Sequence, residues 1–241
     1  LGALPARCST GGELVAAFYE GCSVRPVVAV LDYGIGNLRS AQKALEKCGA
    51  DARLTRDPSE AAAAHAVVLP GVGAFGACMD ALRSSGLEPV VHAAVASGRP
   101  FLGICVGMQM LFDSSDEDLA AVGLGVIPGR IRWITDQLPR PQMQWNQLQL
   151  APGHEADPMF MGLPASPWMY FVHSLHGVPA DAAMVAATCD YGGTVNAAFR
   201  NGNVFATQFH PEKSGDDGLA LLAKFVAHVA HVAHVRAEAS A

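Results

Sequence analysis

The sequence has few charges and no cluster of basic residues. Charged residues make up 16% of the 241 positions, and 16 Lys and Arg against 22 Asp and Glu leave a net charge of −6. Proteins that bind nucleic acid typically concentrate Lys and Arg on one surface, so we expect no nucleic-acid partner. Hydrophobic residues make up 51% of the chain, which excludes a mainly disordered protein and provides enough material for a buried core.

Metal-binding motifs, disulfide patterns and long apolar runs are also scarce. The six cysteines form no C-x-x-C pair, and none has a histidine at zinc-finger spacing. His228, His231 and His234 repeat on a predicted helix, but three imidazoles without a carboxylate would make only a weak, open metal site. No segment has the ~20 apolar residues of a membrane span. We therefore expect a reduced, cytoplasmic protein with no metal, no cofactor and no membrane partner.

The first 26 residues differ from the remainder of the chain. They contain two glycines in succession, two prolines and two cysteines, and they show no clear periodicity. We interpret residues 1–26 as an N-terminal extension of unknown role and residues 27–241 as one domain.

From Val27 onward, short apolar runs alternate with helical patterns. The runs at 27–31, 52–55, 66–69 and 101–104 predict buried strands, and the patterns at 37–48, 87–97 and 106–112 predict helices. Strands that alternate with helices indicate a parallel sheet with helices on both faces.

The alternation of predicted strands and helices ends after Asp113. Short extended segments are predicted at 125–127, 142–150, 168–173, 184–189, 195–200 and 204–209, and a helix is predicted at 217–235. Asn201-Gly202 is a strong hairpin signal between two of these segments. The predicted fold class is therefore α/β, with a mostly parallel central sheet and added antiparallel strands.

One cysteine lies between two glycines where a predicted strand meets a predicted helix. The segment Gly-Ile-Cys-Val-Gly at 103–107 matches a nucleophile elbow in which the sulfur of Cys105 replaces a serine hydroxyl. Such a turn holds its central residue in a strained conformation, and the following helix N-terminus favours a thiolate. A buried structural cysteine is the alternative, but the elbow context favours a nucleophile.

A base and a group that orients the base follow the last predicted strand. His210 and Glu212 are two residues apart, and residues two apart in an extended chain face the same side. Because a thiolate nucleophile needs both partners, we predict a catalytic triad of Cys105, His210 and Glu212.

A glycine-rich loop after the third strand is a candidate oxyanion hole. The strand at 66–69 is expected to lie beside the nucleophile strand, so that the N–H groups of Gly71, Val72 and Gly73 can point at the substrate. The N–H group of Val106, one residue after the nucleophile, is the other expected donor. A plain turn is the alternative interpretation of this loop.

Six motifs in this order resemble a known family. They are Asp-Tyr-Gly-Ile-Gly-Asn at 32–37, Pro-Gly-Val-Gly-Ala-Phe-Gly at 70–76, Gly-Ile-Cys-Val-Gly-Met-Gln at 103–109, Met-Gln-Trp-Asn at 143–146, Tyr-Phe-Val-His-Ser at 170–174 and Gln-Phe-His-Pro-Glu-Lys-Ser-Gly at 208–215. The elbow and His-Pro-Glu segments resemble the class I (triad) glutamine amidotransferases. The whole set is similar to the glutaminase subunits of imidazole glycerol phosphate synthases, which serve histidine biosynthesis.

The resemblance implies both an activity and a partner. Cys105 would attack the side-chain amide of glutamine, and the ammonia would pass through a tunnel to a (β/α)-barrel cyclase in a heterodimer. The family pattern assigns glutamine binding to Gln109, His173 and Ser174. It places Asn37, Met143, Trp145, Asn146 and Lys213 at the partner interface.

The chain departs from the family pattern at two places, and other functions stay open. Gln144 stands where glycine is usual, and Leu175-His176 stands where aromatic residues are usual. The alternatives are another triad amidotransferase subunit, a stand-alone cysteine hydrolase or peptidase, and a binding module with a silent triad. The motifs at 32–37 and 143–146 argue against the first alternative.

Overall fold

The structure is a computed structural model that describes residues 25–239. Apart from its last two positions, the predicted extension at 1–26 lies outside these residues, and its division from the domain stays a prediction.

The first half of the described chain alternates strands and helices. The strands are β1 (Val27–Leu31), β2 (Asp51–Thr55), β3 (Ala66–Gly71) and β4 (Phe101–Cys105), and the helices are α1 (Leu38–Lys47), α2 (Pro58–Ala63), α3 (Phe75–Ser84), α4 (Glu88–Ala96) and α5 (Val106–Gln109). A local signal marks the start of one of these helices. At α2, the Asp57 carboxylate accepts the Ser59 N–H group and Pro58 occupies the first turn, which is a standard helix start.

The second half is mainly strands and ends in one long helix. The strands are β5 (Phe112–Ser115), β6 (Ile127–Trp133), β7 (Gln142–Gln147), β8 (Gln149–Leu150), β9 (Trp168–His173), β10 (Leu175–Pro179), β11 (Val185–Asp190), β12 (Thr194–Asn201) and β13 (Val204–Thr207), and the helix is α6 (Gly215–Ala239). Short 3₁₀ turns occupy Ala182–Met184 and Pro211–Lys213.

An eight-stranded central sheet organises the domain. Its order is β2-β1-β3-β4-β13-β12-β11-β8. The pairs from β2 through β13 are parallel, and the pairs from β13 through β8 are antiparallel. The predicted mostly parallel sheet with added antiparallel strands is therefore confirmed, and so is the hairpin at Asn201-Gly202, which joins β12 to β13.

Helices cover this sheet in two groups. Helices α1 and α6 pack against each other, and α2 packs against α4. The crossover from β1 to β2 runs toward one edge and the later crossovers run toward the other, so right-handed connections place these groups on opposite faces. With both faces covered, β3 and β4 are buried at every residue, which explains why they appear in the sequence as continuous apolar runs.

The strand order places three chain segments at one edge of the sheet. β4 lies between β3 and β13, with Gly71 opposite Cys105 and Thr207 opposite Ile104. All three strands are parallel, so their carboxyl ends meet at the same edge. The loop after β3, the corner after β4 and the residues after β13 therefore converge, and this is where ligands bind in open α/β sheets.

Several predicted elements differ from the observed ones. The predicted helix at 106–112 ends at Gln109, because Phe112 already begins β5, a strand that pairs with β6. The single extended segment predicted at 142–150 is two strands in different sheets, since β7 pairs with β9 and β8 with β11. Helices α2 and α3 and strand β10 had no predicted counterpart. The early end of α5 and the division into β7 and β8 arise from tertiary pairing, which overrides local pattern.

The last helix is longer and more apolar than the sequence analysis expected. Gly215–Ala239 reaches the length and hydropathy of a membrane span, although one lysine and three histidines interrupt it. Its inner side belongs to the domain core, where Leu221, Phe225 and Val229 are buried. A core helix of this kind meets the same length and composition criteria as a membrane span.

Candidate active site

Cys105 forms a strained corner between β4 and α5. It has φ 55° and ψ −116° and is the one non-glycine residue with positive φ within residues 25–239. A Cβ atom at Gly107 would overlap the carbonyl oxygen of Leu69, and one at Gly103 would lie 3.0 Å from the Met108 Cα atom. Close backbone packing therefore requires glycine at position 107 and favours it at position 103. Because α5 has only four residues, its dipole is smaller than the longer predicted helix would provide.

His210 and Glu212 form a buried pair beside this corner. The His210 Nδ1 and Glu212 Oε1 atoms lie 2.8 Å apart, and both side chains are 2% exposed. The predicted contact is present, but the reason given for it was wrong: Pro211–Lys213 is a 3₁₀ turn and not an extended strand. The turn is closed by the Ser214 hydroxyl, which donates to the His210 carbonyl over 2.6 Å.

The charges around His210 favour its protonated form. Burial lowers the pKa of His210, but hydrogen bonds to the Cys105 sulfur and the Glu212 carboxylate outweigh burial and raise the pKa to about 9. At neutral pH the ring is therefore an imidazolium that bridges a sulfur and a carboxylate. His210 therefore lies between the sulfur of the candidate nucleophile and the carboxylate that orients the ring.

A cavity of about 280 Å³ opens in front of the sulfur. It is lined by Val72, Gly73, Cys105, Val106, Gln109, Glu117, Pro141, Val172, His173, Ser174, Leu175 and His210. The structure thus places most of the predicted site residues around one space. Gly71 lies behind the cavity, where an added Cβ atom would be 2.5 Å from the Gly107 nitrogen. Glu212 lies behind His210.

The loop after β3 offers free hydrogen-bond donors to this cavity. The backbone N–H groups of Val72 and Gly73 have no acceptor among residues 25–239, and both residues line the cavity. Backbone donors that face a cavity next to a nucleophile are suited to an oxyanion.

The predicted substrate residues are held by buried hydrogen bonds. The Gln109 amide nitrogen donates to the Leu175 carbonyl over 3.3 Å and to Gln208 Oε1 over 3.0 Å. The Gln208 amide nitrogen in turn lies 3.9 Å from the Cys105 sulfur. Gln208 was not assigned a role from the sequence, although it stands two residues before His210.

His173 presents an unpaired nitrogen to the same region. Its Nδ1 atom lies 2.7 Å from the Leu175 carbonyl, which can only accept, so Nδ1 carries the proton. Its Nε2 atom is buried without a partner among the described residues. Burial lowers the pKa of His173 to about 4, so at neutral pH the ring is neutral and Nε2 is a hydrogen-bond acceptor.

Glu117 is a second cavity residue that sequence reasoning missed. Its Oε2 atom accepts the Phe75 N–H group over 2.7 Å and thereby fixes the start of α3. This residue also lines the cavity. Within residues 25–239, no group of three or more His, Cys, Asp or Glu side chains is arranged to hold a metal.

An apolar ribbon leads outward from the cavity. The antiparallel pair of β7 and β9 carries three cross-strand pairs on its outer face: Met143 with Val172, Trp145 with Tyr170, and Gln147 with Trp168. Met143 is 64% exposed and Trp145 is 48% exposed. Because Val172 also lines the cavity, this outer face is continuous with the mouth of the site.

The other predicted interface residues lie in varied surroundings. Lys213 is exposed in the turn after the triad histidine. Asn37 precedes α1 and accepts the Ser40 hydroxyl over 2.9 Å. Asn146 donates to the Asp190 carbonyl over 2.7 Å, which gives it a structural contact as well.

Comparison with known proteins agrees with this geometry. The family model "Glutamine amidotransferase class-I" matches residues 29–229. Imidazole glycerol phosphate synthase subunit HisH of Synechococcus sp. (strain JA-2-3B'a(2-13)) is 49% identical over 202 residues, which are 83% of this chain and 91% of that protein. The same subunit of Syntrophotalea carbinolica is 49% identical over 206 residues, covering 83% and 98%.

Solved structures show the same fold at lower identity. A glutamine amidotransferase crystal structure superimposes with a TM-score of 0.66 at 22% identity and covers 85% of this chain and 98% of its own. The structure of PurLQS from Thermotoga maritima gives a TM-score of 0.65 at 19% identity, covering 85% and 99%. The chain belongs to the class I glutamine amidotransferase family and, within it, to the HisH subunits of imidazole glycerol phosphate synthase.

Proposed function

We propose that this chain hydrolyses glutamine to glutamate and ammonia with Cys105, His210 and Glu212 as its catalytic residues, and that the ammonia passes to a cyclase partner. The observation that carries the proposal is the buried His210–Glu212 pair at 2.8 Å beside a cysteine held at φ 55°. A buried structural cysteine would need neither the strained backbone nor the paired imidazole.

The first half of the reaction forms a thioester. The Cys105 thiolate attacks the side-chain carboxamide carbon, and negative charge develops on the carboxamide oxygen. The N–H groups of Val106, Val72 and Gly73 stabilise that oxygen, with Gly71 supporting the loop from behind. The His210 imidazolium then donates its proton to the amino group as the C–N bond breaks, which releases ammonia and leaves a glutamyl thioester.

The second half returns the enzyme to its starting state. The now neutral His210 removes a proton from water, whose oxygen attacks the thioester carbon. The C–S bond breaks, glutamate leaves, and the thiolate–imidazolium pair is restored. Glu212 keeps the proton-bearing Nδ1 atom oriented and stabilises the imidazolium through both halves.

Cavity residues beyond the triad bind the rest of the substrate. Gln109 is buried and held by two hydrogen bonds, so its side chain is a fixed polar part of the cavity surface that the substrate contacts. His173 contributes an unpaired acceptor nitrogen, and Ser174 lies beside it in the cavity lining.

The partner side of the proposal rests on the apolar ribbon. Exposed aromatic and methionine side chains are enriched at protein interfaces, and this face begins at the mouth of the cavity. A (β/α)-barrel cyclase seated on Met143, Trp145, Asn146, Asn37 and Lys213 would receive ammonia before it reaches bulk water. Such a heterodimer of biosynthetic enzymes would be cytoplasmic, without nucleic acid or membrane.

The test is to combine the chain with a candidate cyclase and its nucleotide ligand and to measure glutamate release. We expect low activity from the chain alone and a sharp rise in the complex. Cys105→Ala should abolish glutamine-dependent synthesis while synthesis from added ammonia continues. Loss of both activities together would contradict the division of labour, and full activity of the isolated chain would contradict control by the partner.

A further inference from the structure

Two side chains behind the cavity hold the carbonyl groups of the loop after β3. The Tyr33 hydroxyl donates to the Pro70 carbonyl over 2.7 Å. The Cys78 thiol, in the first turn of α3, donates to the Val72 carbonyl over 3.2 Å. Both side chains are buried, and each affects the pKa of the other, so they lie next to each other. They therefore form one unit, which we call the loop clamp (Tyr33 and Cys78).

A contact that fixes the carbonyl of one residue also fixes the direction of the N–H group of the next residue. A trans peptide is planar, so the carbonyl of one residue and the N–H of the next point in opposite directions. Holding the Val72 carbonyl toward Cys78 fixes the Gly73 N–H away from Cys78. Holding the Pro70 carbonyl toward Tyr33 anchors the backbone at the end of β3, where Gly71 is paired with Cys105 and from which the Val72–Gly73 segment departs. The Gly73 N–H has no acceptor within residues 25–239, so its direction is set by the clamp and not by a bond of its own.

The loop needs such a clamp because it is rich in glycine. Gly71 and Gly73 have no side chains to pack, and Gly73 has φ +88°, so the loop has access to several peptide orientations. A rotation of the 72–73 peptide would turn the donor away and point a carbonyl oxygen into the cavity. Negative charge on the substrate oxygen would then face a repelling dipole.

Burial keeps both clamp groups able to donate. Burial raises the pKa of Tyr33 far above its ordinary value, and burial likewise raises the pKa of the Cys78 thiol. Both groups are therefore protonated over the working range of the enzyme, and each retains the proton that its carbonyl partner requires.

We propose that Tyr33 and Cys78 are positioning residues that hold the 70–73 loop so that the Gly73 N–H group is directed at the oxyanion. The inference rests on the proposed glutaminase function. Neither residue touches substrate, and both act through the peptide groups of Pro70 and Val72.

The experiment compares Tyr33→Phe, Cys78→Ala and Cys78→Ser in the complex with the cyclase and its ligand. Tyr33→Phe and Cys78→Ala each remove one donor and keep most of the packing. We expect each to lower kcat for glutamine hydrolysis roughly 10- to 100-fold, which is less than the roughly 100- to 1,000-fold cost of losing an oxyanion donor outright, with KM changed less than about threefold. Cys78→Ser restores a donor and should stay within about fivefold of the wild type.

Alkylation of Cys105 by iodoacetamide separates positioning from general disorder. That displacement occurs at a saturated carbon and forms no oxyanion, so its rate depends on the thiolate and not on the loop. We expect the rate, followed by mass spectrometry of the Cys105 peptide, to change less than about twofold. Cys48→Ala is the matched control, because Cys48 also donates from a buried site to a carbonyl, that of Leu219 at 3.4 Å. It should leave kcat unchanged.

The outcomes separate this inference from the function on which it rests. If the wild-type complex releases no glutamate, the glutaminase proposal and the clamp both fail. If the wild type is active and the Tyr33→Phe and Cys78→Ala variants keep wild-type kcat, the clamp alone is overturned. A parallel fall in kcat and in Cys105 alkylation would also overturn it, since that pattern indicates a disordered site.

Discussion

Replacing Glu212 by glutamine removes one charge from the site and leaves its shape almost unchanged. The Glu212 carboxylate lies 2.8 Å from His210, and both side chains are 2% exposed, so water screens their interaction weakly. The other carboxylate oxygen, Oε2, has no hydrogen-bond partner among the described residues. The charge of Glu212 therefore acts mainly on the imidazole.

The size of the effect follows from two histidines of the same cavity. Burial lowers the pKa of His173, which has a carbonyl as its partner, to about 4. His210 is also buried, which lowers its pKa, but contacts with Cys105 and Glu212 raise the value to about 9. An opposite charge at this range shifts a pKa by roughly 1–3 units. We expect Glu212→Gln to lower the pKa of His210 by about 2 units, or about 3 kcal/mol of imidazolium stabilisation.

We expect the lost stabilisation of the imidazolium to raise the activation free energy of glutamine hydrolysis by the same amount. If the imidazolium loses about 3 kcal/mol, kcat/KM for glutamine falls roughly 100-fold. The pKa is measured by NMR titration of the ¹⁵N-labelled imidazole, and the rate is measured in the complex with the partner. Glu238→Gln is the matched control, because Glu238 pairs with His234 at 3.3 Å on the exposed end of α6. It should change neither quantity.

Either of two results would contradict this role of Glu212. A His210 pKa that stays near 9 in Glu212→Gln would show that the carboxylate does not maintain the imidazolium. A kcat/KM within about threefold of the wild type would show that the imidazolium charge is not needed for turnover.

Three further predictions concern stability and assembly. Burial lowers the pKa of His176 to about 4, below its unfolded value of about 6.5, so its contribution to folding stability is present above pH 6.5 and is lost as pH falls toward 4. Measured by urea unfolding, the free energy of unfolding lost between pH 7 and 5 should be about 2 kcal/mol smaller in His176→Gln than in the wild type. An equal loss in both proteins would contradict this. Trp145→Ala should weaken binding of the cyclase partner roughly 30-fold, as measured by calorimetry. Met161 is also exposed, and Met161→Ala should leave the affinity unchanged. Equal affinities of the two variants would show that Trp145 is not part of the interface. Gly107→Ala should lower the free energy of unfolding by more than about 3 kcal/mol, because its Cβ atom would overlap a carbonyl of β3. Gly202→Ala, at an open turn, should lower it by only about 1 kcal/mol. Similar losses in the two variants would show that backbone packing at the elbow is loose.

Local chemistry made the nucleophile and the parallel sheet visible in the sequence. An elbow is defined by adjacent residues, since only glycine tolerates the close backbone packing on either side of Cys105. The buried strands β1, β3 and β4 are continuous apolar runs because helices cover both faces of the sheet. The start of α2 also had a local signal in Asp57 and Pro58, which the sequence analysis did not use.

Contacts between distant segments could not be predicted in the same way. Gln208 reaches Cys105 because β4 lies between β3 and β13. Glu117 reaches the cavity because β5 returns the chain toward α3. The contact of Glu212 with His210 depends on a 3₁₀ turn closed by Ser214, and the pattern of alternation gave the wrong backbone for it.

The fold class, the candidate nucleophile and the family could be predicted from the sequence alone, because each depends on the residue types within a short segment. Tertiary structure decided which groups face one another, how short α5 is and which N–H groups are left free beside Cys105. The physical reason is that backbone sterics and periodicity act over a few residues, whereas burial, hydrogen bonding and charge act between neighbours in space.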